Sequence, residues 1–405
     1  MVTLTERRTA AVVALVGAVT FVVLAWWLVP WDPVGQPVAP VPVDDVFTAE
    51  QVDRAESFAR WARVCSWGSL ATALAIACWL GFTSAGGRLV SRLPGPPWGV
   101  VVLAVATCAL IGRVATLPFA VALQRLRLDA GLSSQSWSGW LRDVAVSQAV
   151  GIVSTSLGLL LVVGIARRWR RAWPAIAGLG LAGFVLLVSF VYPLLVEPLF
   201  NRFTPLPDGP LRSEILRLAD REEVEVDDVL VADASRRTTT LNAYVSGFGS
   251  TRRVVVFDNL VNDAPRPETL SVVAHELAHA RHDDVLAGSL LGAAGSLAGV
   301  GLLGLVLGRG RTPADPHHVP RVLALLAVGA LLASPVLSTI SRTVETRADV
   351  DALEATDDPS AFVALHRQLA LRSLADPTPP AWSQFWFGSH PTTLERIGLA
   401  EGTRD

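Results

Sequence analysis

Seven long apolar segments alternate with polar stretches along the 405-residue chain. A helix needs about 20 predominantly apolar residues to cross the hydrocarbon core of a bilayer. Segments of this kind lie at 10–30, 67–85, 98–121, 147–166, 174–196, 285–308 and 320–341. The pattern predicts a mainly α-helical integral membrane protein with about seven transmembrane helices, of which the third is interrupted by Arg113.

The first apolar segment differs from a secretory signal peptide. Arg7 and Arg8 precede it, but its apolar core is long and ends in Trp26, Trp27 and Trp31 instead of a small-residue cleavage site. Tryptophan is enriched where helices meet the membrane–water interface. An uncleaved membrane anchor is therefore expected.

Two polar stretches, 197–284 and 342–405, interrupt and follow the apolar segments. The first contains a predicted helix from about Asp208 to Asp220 and then three β-branched runs, DDVLVADA, TLNAYVSGF and RRVVVFDNLV, typical of a small sheet. We therefore expect a membrane domain of about five helices (1–196), a small α+β insert (197–284), two further membrane helices (285–341) and a C-terminal helical part (342–405).

Composition narrows the class of protein further. Hydrophobic residues make up 51% of the chain and charged residues 17%, with a formal net charge of −2, so no basic surface for nucleic acid is expected. Cys65, Cys78 and Cys108 show no CxxC spacing and are interpreted as apolar packing residues. The abundance of alanine, valine and arginine without lysine is typical of a GC-rich bacterial genome and favours a bacterial cell membrane.

The sequence VVAHELAHARHDD, at 272–284, carries the clearest chemical signal. On a helix, His275 and His279 lie about 40° apart on one face, the spacing that two imidazoles need to share one zinc ion. Glu276 lies beside that ion, where a general base can activate a water molecule. Catalytic zinc usually has three protein ligands, so a third ligand is required.

His282 follows on the same helix, but it lies about 10 Å from His275 along the axis, too far to share one ion. The sixth and seventh apolar segments return the chain to the same membrane face, where Glu345 follows Ile340 by about 7 Å of helix. Glu345 is therefore the expected third ligand, and Asp349 is placed to hold a ligand histidine through its second nitrogen. In the alternative interpretation, Glu345 and Asp349 only pair with Arg342 and Arg347 on a solvated helix.

Five sequence blocks, in order, resemble the Ste24-type CAAX prenyl protease branch of the M48 zinc metallopeptidases. They are PLFNRFTPL (198–206), NAYVSGFG (242–249), HELAH (275–279), SRTVETRAD (341–349) and SHPTTLERI (389–397). The resemblance implies a seven-span protein that encloses a chamber, one zinc ion held by His275, His279 and Glu345, and Glu276 as the base. It also implies that Asn242 and the strand at Ala243–Tyr244 align the substrate backbone, and that His390 and Arg396 complete the site.

Physical chemistry supports these additional roles. A peptide that binds as an added strand needs an exposed sheet edge, and TTTLNAYVSGFGS is polar enough at both ends to form one. His390 lies in a loop before a predicted helix, where it can donate to the oxyanion, and Arg396 is expected beside Asp349. His317, His318 and His366 are interpreted as structural or solvated residues.

The sequence thus predicts an integral membrane zinc metalloendopeptidase that acts on peptides or membrane-associated proteins, with CAAX-type processing suggested by resemblance alone. Two alternatives are a metal-regulated transporter and a catalytically inactive scaffold. A transport pathway usually needs several ionisable groups within the spans, whereas Arg113 is almost alone there. An inactive scaffold is disfavoured because the base and all three expected ligands are present.

Two indications of membrane orientation disagree. Loops opposite the insert contain more arginines than loops on its own face, and the RRWRR cluster at 167–171 lies in a short loop. By the positive-inside rule the N-terminus is cytoplasmic and the insert external, and we favour this orientation. The family resemblance implies the reverse.

Overall fold

The computed structural model describes residues 4–36, 38–247, 249–307 and 312–402, with only the backbone of Leu4, Thr5 and Ser250. Outside the described residues lie the predicted end of the sixth apolar segment, at residue 308, and two of the arginines in the loops opposite the insert, Arg309 and Arg311. The helices are α1 (Leu4–Leu28), α2 (Val43–Val46), α3 (Ala49–Phe82), α4 (Ser84–Val90), α5 (Pro97–Asp129), α6 (Trp137–Arg168), α7 (Trp173–Leu195), α8 (Glu197–Phe200), α9 (Pro210–Arg221), α10 (Asp258–Asp263), α11 (Arg266–Arg281), α12 (Asp284–Val306), α13 (Val319–Thr356), α14 (Pro359–Ser373), α15 (Ala381–Phe387) and α16 (Thr393–Gly402).

Seven helical segments of the described residues are long and apolar enough to cross a membrane, which confirms the predicted fold class. They are α1, α3, α5, α6, α7 with α8, α12 and α13. Two helices extend well beyond their predicted apolar segments. Helix α3 begins at Ala49, before the segment 67–85, and α13 continues to Thr356, after the segment 320–341. The polar ends of these two helices lie on the side of the membrane that carries the sheet.

Close packing between α1 and α12 depends on two glycines. A Cβ atom on Gly17 would lie 2.3 Å from the backbone nitrogen of Ala298, and one on Gly301 would lie 2.2 Å from that of Ala14. Any larger side chain at either position would push the helices apart. Small residues at such contacts let transmembrane helices approach closely and gain van der Waals packing.

The sheet has four strands, β1 (Phe203–Pro205), β2 (Asp228–Ala232), β3 (Ala243–Ser246) and β4 (Arg253–Phe257), in the order β1-β2-β4-β3. β2 and β4 are parallel, whereas β1 and β3 are antiparallel to their neighbours. The three predicted strands are present, but β1 was not predicted, because it has three residues and ends in Pro205. Proline suits an edge strand such as β1, where its nitrogen needs no partner.

One hydrophobic core joins the insert to the segment after α13. It contains Ile215 of α9, Val254 of β4, Leu277 of α11 and Phe362 of α14, and each of these side chains is at most 1% exposed. Burial of one such side chain stabilises the fold by about 1.5–3 kcal/mol. This core holds the C-terminal helices against α11. The domain boundaries given above, at residues 196, 284 and 341, remain a prediction.

Candidate metal centre and active site

Helix α11 presents two chemically different faces. Pro267 lies in its first turn, where the missing N–H has no intrahelical role, and Glu268 complements the positive end of the helix dipole. Val273 and Leu277 are completely buried in the core. The helix is thereby fixed with His275, Glu276 and His279 turned towards a cavity of about 450 Å³.

Three side chains converge at this cavity in the way the sequence predicts. The Nε2 atoms of His275 and His279 are 3.2 Å apart, and Nε2 of His275 lies 3.1 Å from Oε2 of Glu345. Nε2 of His279 lies 3.6 Å from Oε1 of Glu345. One atom from each residue can be chosen so that all three lie within 4.8 Å of one another, a separation that one metal ion can bridge.

The position of Glu345 follows from the pairing of α12 with α13 across the membrane. Ile340 packs in a small cluster with Leu291 of α12, with Ala25 of α1 and with Val29, which directly follows α1. This contact fixes the depth of α13, and Glu345 lies five residues further along the same helix. The carboxylate therefore reaches the same depth as the two histidines of α11.

The carboxylate of Asp349 and the guanidinium of Arg396 lie at the Nδ1 side of the His275 ring. Oδ1 of Asp349 lies 2.9 Å from Nδ1 of His275, and Asp349 is only 1% exposed. Arg396 donates from Nε to Oδ2 of Asp349 over 2.8 Å. These contacts bring Asp349 and Arg396 together beside His275, and they would fix the orientation of the ring if His275 binds a metal.

A second support, on His279, was not predicted. Oδ2 of Asp284 lies 2.9 Å from Nδ1 of His279, and Oδ1 of Asp284 accepts a hydrogen bond from Arg347. Asp284 is the last residue of the sequence VVAHELAHARHDD, five residues after His279. Because it begins α12, its side chain can turn back towards α11, and this geometry is not evident from spacing on a single helix.

Glu276 faces the cavity beside the cluster and is half-buried. Burial raises the pKa of its carboxyl group above the ordinary value, and the neighbouring His275 and His279 oppose that shift. A carboxylate with a raised pKa is a stronger base than an exposed glutamate. Glu276 is thus a cavity-lining carboxylate that burial makes more basic, which is what a role in proton transfer would require.

His390 approaches the cluster from the loop before α16. Its Nε2 lies 3.3 Å from Oε2 of Glu345, and its Nδ1 lies 2.9 Å from the hydroxyl of Ser389. Partial burial lowers the pKa of His390, although the charge of Glu345 acts in the opposite direction. A neutral imidazole keeps one N–H group that can donate to an oxygen in the cavity.

Strand β3 forms another wall of the cavity, and it is the edge of the sheet. Asn242, Ala243 and Tyr244, the residues predicted to align a substrate, line the cavity, and their role in substrate binding stays a prediction. Val245 and Gly247 extend this wall. Because β3 pairs with β4 on one side only, its other edge can accept an extended peptide.

Other candidate residues lie outside the cluster. His282 pairs with Asp351 over 2.7 Å, and Arg342 donates to backbone carbonyls of Gln384 and Gly388. Arg347 pairs with Asp284, so neither arginine forms the ion pairs of the alternative interpretation. His366 is buried against Phe362, and burial holds its pKa well below the ordinary value.

The carboxylates around His275 also affect its protonation. Burial lowers the pKa of His275, but hydrogen bonds to Asp349 and Glu345 outweigh burial and raise it to about 10. At neutral pH this imidazole therefore carries a proton when no metal competes for it. A metal ion must displace that proton to bind, because only the neutral ring is a ligand.

Two known family models match this chain. Residues 205–404 match the family model for peptidase family M48, and residues 37–202 match the model for the CAAX prenyl protease N-terminal region, described as five membrane helices. The chain belongs to peptidase family M48. This M48 peptidase is an integral membrane metalloprotease, as the sequence predicted, and its His275, His279 and Glu345 lie within the matched region.

Relatives of this M48 peptidase occur in bacteria and eukaryotes. The chain is 31% identical over 310 residues to an uncharacterized metalloprotease, YhfN, of Bacillus subtilis, covering 73% of this chain and 72% of that protein. It is 30% identical over 290 residues to a CAAX prenyl protease 1 homolog of Arabidopsis thaliana, covering 67% of this chain and 66% of that protein.

The fold has a counterpart among solved structures. The crystal structure of S. mikatae Ste24p superimposes with a TM-score of 0.79 and 21% sequence identity, covering 97% of this chain and 99% of that one. This M48 peptidase therefore shares the Ste24p fold.

Proposed function

We propose that this M48 peptidase is a zinc endopeptidase of a bacterial cell membrane that hydrolyses peptide bonds in peptides or membrane-associated proteins. The observation that carries the proposal is the convergence of His275, His279 and Glu345 beside Glu276, in a cavity bounded by an edge strand. A transporter with a regulatory metal would not need a general base at this position. An inactive scaffold would not need one either.

The donor set fits zinc. Two imidazole nitrogens and one carboxylate oxygen form the usual set of three protein ligands in a catalytic zinc site, which leaves a fourth position open to the cavity. Both histidines are held at Nδ1 by aspartates, so their Nε2 atoms are directed at the shared position. In this proposal His275, His279 and Glu345 hold the ion.

When bound, zinc would polarise the scissile carbonyl and lower the pKa of water at the site. Glu276 takes a proton from the attacking water and passes it to the leaving amine. His390, whose Nε2 lies 3.3 Å from Oε2 of Glu345, would donate a hydrogen bond to the oxygen that gains negative charge. Asp349 with Arg396, and Asp284 with Arg347, keep the two histidine rings in place.

The substrate lies along β3 in an extended conformation. Pairing with Ala243 and Tyr244 would align the peptide backbone through main-chain hydrogen bonds that do not depend on sequence. The eukaryotic relatives are named CAAX prenyl proteases, whereas the Bacillus relative is named only as a metalloprotease. For a bacterial chain we favour unmodified peptides or membrane-associated proteins over prenylated ones.

The test is to purify the protein in detergent, measure its zinc content and follow cleavage of casein. We expect about one zinc ion per chain and hydrolysis that is lost in Glu276→Gln. Glu225→Gln, the same chemical change at an exposed position of the insert, should retain activity. Hydrolysis in Glu276→Gln at the wild-type rate would contradict the mechanism, and a protein that binds zinc but cleaves nothing would favour the scaffold.

A further inference from the structure

Arg113 lies at the middle of a membrane-spanning helix. Sixteen residues, about 24 Å of helix, separate it from each end of α5, at Pro97 and Asp129. A charged side chain at this depth is costly unless it faces a cavity or a partner. The position of Arg113 therefore calls for a specific explanation.

Arg113 lines a cavity of about 390 Å³ between α3, α5, α6 and α13. Its Nε donates a hydrogen bond to Oε1 of Gln148 over 2.8 Å. Gln148 is neutral, and no carboxylate in residues 4–36, 38–247, 249–307 or 312–402 forms an ion pair with Arg113. The two terminal nitrogens of its guanidinium group lie side by side and can both donate to one ligand. This arrangement binds a carboxylate in bidentate geometry.

We propose that this cavity binds the C-terminal carboxylate of a peptide whose scissile bond lies at the metal centre, an inference that rests on the proposed endopeptidase function. The positive charge of Arg113 favours an anionic ligand. The depth of Arg113 in the membrane favours the carboxylate of a peptide over the headgroup of a phospholipid. Phospholipid headgroups lie at the bilayer surface, about 15 Å from the midplane of the hydrocarbon core. Arg113 is about 24 Å of helix from either end of α5, so a headgroup would have to leave its usual depth.

The sheet directs a bound peptide towards this cavity. The segment before β3 is attached to the α5–α6 connection, because Ser133 donates to the carbonyl of Arg237 and Thr239 donates to that of Gly131. The far end of β3 lies near the start of α12, where Arg252 pairs with Asp283. A peptide that pairs antiparallel with β3, as β4 does, directs its C-terminus to the α5–α6 corner.

The distance from the α5–α6 connection to Arg113 and Gln148 sets the expected length of the peptide. Gln148 lies eleven residues after the start of α6 at Trp137, about 16 Å of helix, and Arg113 lies about 24 Å before the end of α5. An extended chain rises about 3.3 Å per residue. The preferred peptide therefore has roughly six to ten residues after its scissile bond, counting those along β3.

The first test compares peptides with one cleavage sequence and C-terminal extensions of about three to twelve residues, each as the free acid and as the amide. Wild-type protein should show a KM about tenfold lower for the acid than for the amide at extensions of about six to ten residues. Arg113→Gln should raise the KM of the acid to that of the amide while retaining bound metal, and Arg113→Lys should keep part of the preference. Arg125→Gln, an exposed arginine on the same helix, should behave as wild type.

Equal KM values for acid and amide in the wild type would overturn the proposal, as would an acid preference that persists in Arg113→Gln. Absence of all peptide cleavage would instead count against the endopeptidase function. The two failures are therefore distinguishable.

Cys108 gives a second readout, because it lines the same cavity. In a Cys65→Ser, Cys78→Ser, Glu276→Gln background, uncleaved acid peptides should slow alkylation of Cys108 and amides should not. If phosphatidylglycerol vesicles slow alkylation and acid peptides do not, the cavity binds lipid and the peptide proposal is wrong.

Discussion

Asp284 begins a membrane helix, yet its carboxylate lies 2.9 Å from Nδ1 of His279 on the preceding helix. The contact fixes the imidazole so that Nε2 faces the proposed metal position. Asp284→Asn should lower zinc affinity about 10- to 100-fold, measured by competition with a chelator, because support of this kind orients a ligand histidine and raises its basicity. Asp351→Asn removes a similar contact from His282, outside the cluster, and should leave zinc affinity unchanged.

Glu276→Gln separates metal binding from proton transfer. The amide has nearly the same shape but cannot accept the proton, so kcat should fall by about 10²–10⁴, the usual contribution of general acid–base catalysis, or more. Zinc content, measured on the same sample by atomic absorption, should remain near one ion per chain. Loss of zinc together with activity would instead place Glu276 among the ligands.

Glu345 and His282 are the two candidates for the third ligand on sequence grounds. Glu345→Ala should remove most of the bound zinc, because it deletes one of three protein donors. His282→Ala should leave zinc nearly intact, since His282 binds Asp351. A zinc assay that gives the opposite order would show that the cluster seen here is not the metal site.

Protonation of His275 predicts that zinc binding depends on pH. Because the pKa of His275 is about 10 without metal, the ring is protonated at pH 7 and must lose its proton on binding. Zinc binding at pH 7 should therefore release about one proton, and affinity should fall as pH decreases. Calorimetry in buffers of different ionisation enthalpy measures this number, and proton uptake would contradict the prediction.

Membrane orientation can be tested at Glu225, which is exposed in the insert. In a background without the three native cysteines, Glu225→Cys should react with a membrane-impermeant maleimide in intact cells if the site is external. The arginine distribution favours that result. Labelling only after lysis, while an external control residue is labelled normally, would place the site in the cytoplasm.

The sequence predicted features that depend on one segment or on two consecutive segments. Seven apolar segments gave the membrane helices, and β-branched runs gave three of four strands. The sequence also predicted that Glu345 lies close to the HELAH residues of α11, because two consecutive membrane spans must return the chain to the same membrane face. Each of these inferences used lengths and periods that a bilayer or a helix imposes.

Other features depend on how separate elements pack, and the sequence alone did not reveal them. Asp284 contacts His279 because the chain bends between α11 and α12, where Asp283 adopts a left-handed conformation with φ of 52°. The three-residue strand β1 exists only because β2 offers it an edge. The cavity at Arg113 requires four helices to meet, whereas the sequence shows only one interrupted span.

Helix α13 runs without a break from Val319 to Thr356, so the membrane segment and the residues Glu345 and Asp349 belong to one rod. The polar insert contains only two of the three proposed ligands. Excising residues 197–284 as a soluble fragment would therefore give an incomplete centre, because the missing donor is delivered by a helix that the bilayer aligns. Insertion of α13 in the lipid bilayer is therefore part of what positions Glu345 beside the two histidines.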